Sequence, residues 1–160
     1  MKTRILPLIA IAAILLTGCN KPAPTTSAPA VNPADGRAIE ITADDTMKYS
    51  VTEIRATPGE KLVIVLKNIG RMPKQAMAHN WVLLKPMDDS AAGALAMSAA
   101  ARLPDYMPAD MSSILAHTKM VGSGESDTLK LTAPTEPGTY PYLCTFPGHF
   151  ALMHGKLIVQ

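Results

Sequence analysis

The stretch Cys144-Thr145-Phe146-Pro147-Gly148-His149-Phe150-Ala151-Leu152-Met153 constrains this chain more than any other. It carries a thiol, an imidazole and a thioether at its first, sixth and tenth positions. All three are soft or borderline donors. The mix suits copper better than a hard cation, which favours carboxylates and carbonyls. A blue-copper centre needs two His and one Cys in a trigonal plane, with a weak, long axial Met. The stretch supplies all of these except one imidazole. The fold must therefore bring a second His from elsewhere and hold the set rigidly.

The best source is His79, in Ala78-His79-Asn80-Trp81, which lies 65 residues (144 − 79) before Cys144. Only tertiary folding can join them. A β-sandwich does so readily, because its loops cluster at the two ends. A rigid frame also limits rearrangement between the two copper oxidation states.

The N-terminus determines how the cysteines are read. Lys2 and Arg4 precede an apolar run from Ile5 to Leu16, with small residues before Cys19. At about 1.5 Å per residue that run would span roughly 18 Å as a helix, short of a bilayer core of about 30 Å. It reads as an export signal. Its ending, Leu16-Thr17-Gly18-Cys19, resembles a bacterial lipobox. That implies a lipoprotein signal peptide over 1–18 and lipid attachment at Cys19. An acylated Cys19 cannot form a disulfide, so Cys144, the other of two cysteines, is left as a lone thiol suited to a metal. Without Lys2 and Arg4 the basic count falls from 15 to 13, equal to the 13 acidic residues. A neutral chain exerts no pull on nucleic acid.

Residues 19–36 hold the lipidated Cys and a Pro/Ala-rich segment with four prolines, read as a disordered linker. In polyproline II, at about 3.1 Å per residue, it would reach on the order of 50 Å. The remainder, 37–160, reads as one all-β domain of seven to eight short strands. Strand patterns fall at 37–42, 47–52, 61–67, 80–85, 128–131, 139–144 and 156–160. Turn signals such as Thr57-Pro58-Gly59, Gly122-Ser123-Gly124 and Glu136-Pro137-Gly138 separate them. The expectation is an antiparallel Greek-key β-sandwich. Residues 88–116 interrupt it with an Ala-rich, helix-forming run, expected as a helical flap outside the sandwich and capped at Asp88, Asp89 or Ser90.

His79-Asn80-Trp81-Val82, Ala116-His117-Thr118-Lys119, Gly122-Ser123-Gly124-Glu125 and Cys144-Thr145-Phe146-Pro147-Gly148-His149 with Ala151-Leu152-Met153 closely resemble azurin. The motifs recur in order over residues 38–160. Auracyanins and other lipid-tethered, azurin-like cupredoxins lie in the same class. The resemblance implies the cupredoxin fold, one type 1 copper ion cycling between Cu(I) and Cu(II), and electron transfer on the periplasmic side or at the cell surface. It implies redox partners such as c-type cytochromes or membrane oxidases and reductases, and neither nucleic acid nor a small-molecule substrate.

Carried over by position, the resemblance makes His79, Cys144 and His149 equatorial ligands and Met153 the axial one. Azurins add a distant backbone carbonyl from the residue before the first His, usually Gly. Here Ala78 stands there, as a weaker candidate. Azurins also carry a disulfide near the N-terminus, for which no cysteines remain here. Asn80 is expected to tie its strand to the ligand loop at Thr145, while Phe146, Pro147 and Phe150 exclude water and stiffen the loop. Met72 and Met120 are candidates for an apolar docking face. His117 and His154 are expected at the surface, His154 close to the site.

Two other functions compete. A periplasmic copper carrier or buffer would use the ten Met residues, but carriers hold metal in open Met/His clusters. A multicopper enzyme needs further centres, and only His117 and His154 are left to build them.

Overall fold

The computed structural model describes residues 32–160. The expected signal peptide, Cys19 and most of the linker segment lie outside the described residues. Pro33–Asp35, at the end of that segment, form one 3-10 turn. Asp35 pairs with Lys130 at 2.8 Å.

Among the described residues, eight strands form two packed sheets. They are β1 (Arg37–Ala43), β2 (Glu53–Ala56), β3 (Lys61–Asn68), β4 (Val82–Leu84), β5 (Ile114–His117), β6 (Ser126–Thr132), β7 (Gly138–Leu143) and β8 (His154–Val159). One sheet has the order β1-β3-β6, the other β2-β8-β7-β4-β5. Leu62, Ile64 and Leu66 of β3 enter the shared core with Trp81, Leu83, Tyr142 and Leu157. Val63 and Val65 are also buried, as a central strand requires when both faces are covered.

The sandwich is mixed rather than antiparallel, which corrects the expectation. β1 pairs with β3 in parallel, and β2 with β8. Consecutive β1 and β2 lie in different sheets, so each can run beside a strand of its own direction without a local crossover. Hydrophobic alternation is the same for either sense of pairing, so it carries no information on this point.

Two further expectations are corrected. The alternating run 47–52 is not a strand: Asp44–Met47 turn the chain, with the Asp44 carboxylate accepting from the Thr46 amide at 2.9 Å. Met47 takes φ +56°, outside any strand conformation. The strand comes later, at Glu53–Ala56. Nor is 88–116 wholly a flap. Its helix, α1, spans Asp89–Ala100 and is capped by Asp88, whose carboxylate accepts from Ala91 N–H at 2.8 Å. Ile114–His117 instead form β5, pairing with β4 and satisfying its backbone edge.

The helix buries its small face, Ala92, Gly93, Ala96 and Ala99. Ala92 and Ala96 join Val82, Leu84 and Leu143 in a second apolar cluster on the outer side of the five-stranded sheet. Phe150 of the Cys144–Met153 stretch packs against the same cluster. The flap therefore buttresses that stretch from outside.

Four connections meet at one pole: β1–β2, the segment before β4, β5–β6 and β7–β8. Asn68 wires two of them, its amide nitrogen donating to the Met77 and Val121 carbonyls at 3.4 and 3.1 Å. The Asp45 carboxylate accepts the backbone N–H groups of Arg71 and Met72. Lys74 pairs with Glu125 at 2.7 Å. These contacts hold the loop that ends at His79.

Candidate metal centre

The three borderline donors converge at this pole. The side-chain donor atoms of His79, Cys144 and His149 all lie within 4.8 Å of one another, and all three residues are buried. Cys144 Sγ is 3.7 Å from His149 Nδ1, and the two imidazole centroids are 5.1 Å apart. Met153 is fully buried and belongs to the main core cluster.

The loop holds itself in shape. Cys144 N–H donates to the Met153 carbonyl at 3.0 Å, closing the stretch into a ring. Inside it, His149 N–H donates to Phe146 C=O at 3.0 Å, and Met153 N–H to His149 C=O at 2.8 Å. Gly148 takes φ +80°, with open space around its missing side chain, so conformation rather than crowding requires glycine there. Phe146 lies against the His149 ring at 4.6 Å between centroids and against Tyr106 at 5.0 Å.

His79 is placed from the other direction. Its N–H donates to Val121 C=O at 2.9 Å, and Val121 N–H returns the bond at 2.7 Å. One residue on, the Asn80 side chain reaches the ligand loop twice: its Nδ2 donates to Thr145 Oγ1 at 2.7 Å, and its Oδ1 accepts Thr145 N–H at 2.9 Å. Trp81 N–H donates to Thr118 Oγ1 at 2.9 Å. Ala78 is buried, and among the described residues no backbone hydrogen bond claims its carbonyl.

The residues fit a soft metal ion. Neither ring nitrogen of His79 has a hydrogen-bond partner among the described residues, although the ring is wholly buried. A buried polar atom is normally satisfied, so an unpaired imidazole facing a thiol and a second imidazole fits a metal ion as its partner. Burial pushes the Cys144 thiol up to about 12, against the opposing pull of the Asn80 and Phe146 backbone N–H groups. Burial, and secondarily the charge of His79, depresses His149 to about 4. Burial also lowers His79, opposed by the Asp44 carbonyl, which lies near the ring without meeting hydrogen-bond geometry, and by the Asp44 and Asp45 charges. Both imidazoles are thus neutral near pH 7 and ready to ligate.

Other expected residues fall as follows. Met72 is exposed, but Met120 is buried in the core, so the two do not share a docking face. His117 and His154 are exposed, His154 at the start of β8. Sequence reasoning passed over Tyr49, whose hydroxyl donates to the Asn80 carbonyl. A Tyr in an alternating apolar run reads as core, and nothing local marks its partner.

A two-sheet sandwich that gathers one thiol and two imidazoles at a closed pole defines a cupredoxin, and the comparisons place it within that class. The model of the copper-binding proteins of the plastocyanin/azurin family matches residues 37–160, and the chain belongs to that family. It is 38% identical over 120 residues to azurin of Achromobacter denitrificans, covering 73% of this chain and 80% of that one. It is 36% identical over 122 residues to the outer membrane protein H.8 of Neisseria gonorrhoeae, covering 75% and 66%. Among solved structures, auracyanin A, a "blue" copper protein of Chloroflexus aurantiacus, superposes with TM-score 0.70 at 34% identity. That match covers 77% of this chain and 98% of the other. The cofactor is one copper ion.

Proposed function

We propose that this chain is an exported, lipid-anchored electron carrier in which His79, Cys144 and His149 would hold the copper, with the Met153 thioether as a weaker fourth donor. Ala78 C=O is a further, distant candidate. The observation that carries the reading is the convergence of three buried donors, in which the His79 ring has no hydrogen-bond partner among the described residues. When bound, the metal supplies one-electron cycling between Cu(II) and Cu(I).

The chain's own groups do the rest. Cys144 gives up its proton on loading, since only the thiolate ligates. The Asn80 backbone N–H favours that charge. Asn80 and Thr145 lock the His79 segment to the loop, so that ligands from two parts of the chain keep one spacing. Phe146 covers the site and excludes water. Of the four residues, only His149 retains any exposure, 3% against 0%. It lies beneath exposed Pro147, Gly148, Ala151 and Leu152, a small uncharged surface suited to brief encounters with redox proteins such as c-type cytochromes or membrane oxidases and reductases. No substrate is turned over. Burial of all four residues also tells against ready metal exchange, and so against a carrier or buffer.

The lipobox-like Leu16-Thr17-Gly18-Cys19 supports export and acylation of Cys19. The name of the similar outer membrane protein H.8 is in keeping with anchorage there.

The test is direct. Copper(II) added to the purified full chain gives intense visible absorption from thiolate-to-copper charge transfer, and Cys144→Ser gives none. A colourless wild type overturns the assignment.

A further inference from the structure

Every polar group of Asn80 has something to do. Its side chain is doubly bonded to Thr145, and its backbone N–H favours the Cys144 thiolate. That leaves its carbonyl. Deep in the core, this oxygen accepts a hydrogen bond from the Tyr49 hydroxyl.

Tyr49 belongs to neither ligand-bearing segment. It sits between β1 and β2, where an isolated bridge joins it to Ala43. Its side chain is buried, and its ring stands edge-on to Tyr142 at 5.8 Å between centroids. Tyr142 in turn packs at a tilt against Trp81, 5.1 Å between centroids. Packing therefore fixes the Tyr49 ring independently of its hydroxyl. A phenylalanine would fill the same space, and the hydroxyl adds only the bond to Asn80. A buried hydroxyl has to be satisfied, and this one is satisfied by the single residue that bridges the His79 segment to the Cys144 loop.

We propose that the Tyr49 hydroxyl is a positioning group for the metal centre: it clamps the Asn80 carbonyl and so fixes the N–H and side chain that Asn80 presents to Cys144 and Thr145. The inference rests on the copper-ligand reading above and deepens it. Three chain segments then meet on one residue: the β1–β2 connection through Tyr49, the strand entry at Asn80, and the ligand loop at Thr145. Hydrogen bonds to a ligating sulfur stabilise negative charge on it, and that charge is greatest in the reduced state. A looser Asn80 holds the sulfur less well and lowers the reduction potential.

The experiment compares full-length wild type, Tyr49→Phe and Tyr142→Phe. Tyr142 also donates its hydroxyl to a backbone carbonyl, that of Val51 at 2.8 Å, so its variant controls for simple loss of a phenol. In the metal-free proteins, Tyr49→Phe speeds amide exchange at Thr145 by about tenfold, the scale that one lost hydrogen bond allows, and Tyr142→Phe leaves it unchanged. In the copper-loaded proteins, Tyr49→Phe lowers the potential and shifts the charge-transfer band, and Tyr142→Phe does neither. If Tyr49→Phe does not fold, 3-fluorotyrosine at position 49, a stronger donor, raises the potential. Unchanged Thr145 exchange and unchanged potential in Tyr49→Phe, or an unchanged potential with the fluorinated residue, overturn the proposal. A wild type that stays colourless with copper instead overturns the ligand assignment, a separate outcome.

Discussion

His149 shows how burial converts a common residue into a pH-dependent element of stability. In the unfolded chain its imidazole titrates near the ordinary value of 6.5; folded and metal-free, it is depressed to about 4. Between these values the unfolded chain binds a proton that the folded chain does not. Stability from this group is therefore complete above about pH 6.5 and is lost as pH falls toward 4. His79 is lowered for the same main reason and adds in the same sense. At about 1.4 kcal/mol per unit, His149 alone accounts for on the order of 3 kcal/mol. The melting temperature of metal-free protein should fall between pH 6.5 and 4.5, and fall less in His149→Gln. Carboxylates titrate in both proteins, so the difference between the two curves isolates the imidazole. Parallel curves would show that His149 is not held neutral by folding.

At the scale of elements, α1 and the ligand loop form one packing unit. A methyl placed on Gly93 would lie 3.0 Å from Cε2 of Phe150, the neighbour of His149 in sequence. A branched side chain there must displace Phe150 or lift the helix. Gly93→Val should destabilise by about 1–3 kcal/mol despite the poor helix propensity of glycine, read as a lower melting temperature. A higher one would mean that the helix floats free of the loop. This coupling was invisible in the sequence, where the Ala-rich run shows only that it is helical. Cys144 and His149 were legible because local spacing brings them together. His79 was legible only because the loop lacked one donor. The turn at Asp44–Met47 was not, because Met47, Tyr49 and Val51 alternate as a strand would, and only φ +56° at Met47 separates the two. Strand β5 hid behind the flap, because four residues with one β-branched member give too short a pattern to read.

At the scale of the whole molecule, the lipid-anchor reading makes its own prediction. Cys19→Ser should leave the protein in the soluble fraction and abolish labelling by a fatty-acid probe, while the copper absorption stays unchanged. A variant that stays with membranes and keeps its label would rule out Cys19 as the attachment point.

Strand β1 adds a geometric point. Its first residue, Arg37, lies opposite Leu62, and its last, Ala43, opposite Asn68, beside the loop that leads to His79. Seven residues at about 3.3 Å each separate those ends by roughly 20 Å. The chain thus enters the sandwich at the pole remote from Cys144. Pulled by its N-terminal end, the molecule would hang like a lamp from its cord, with His149 at the free end and open to approach.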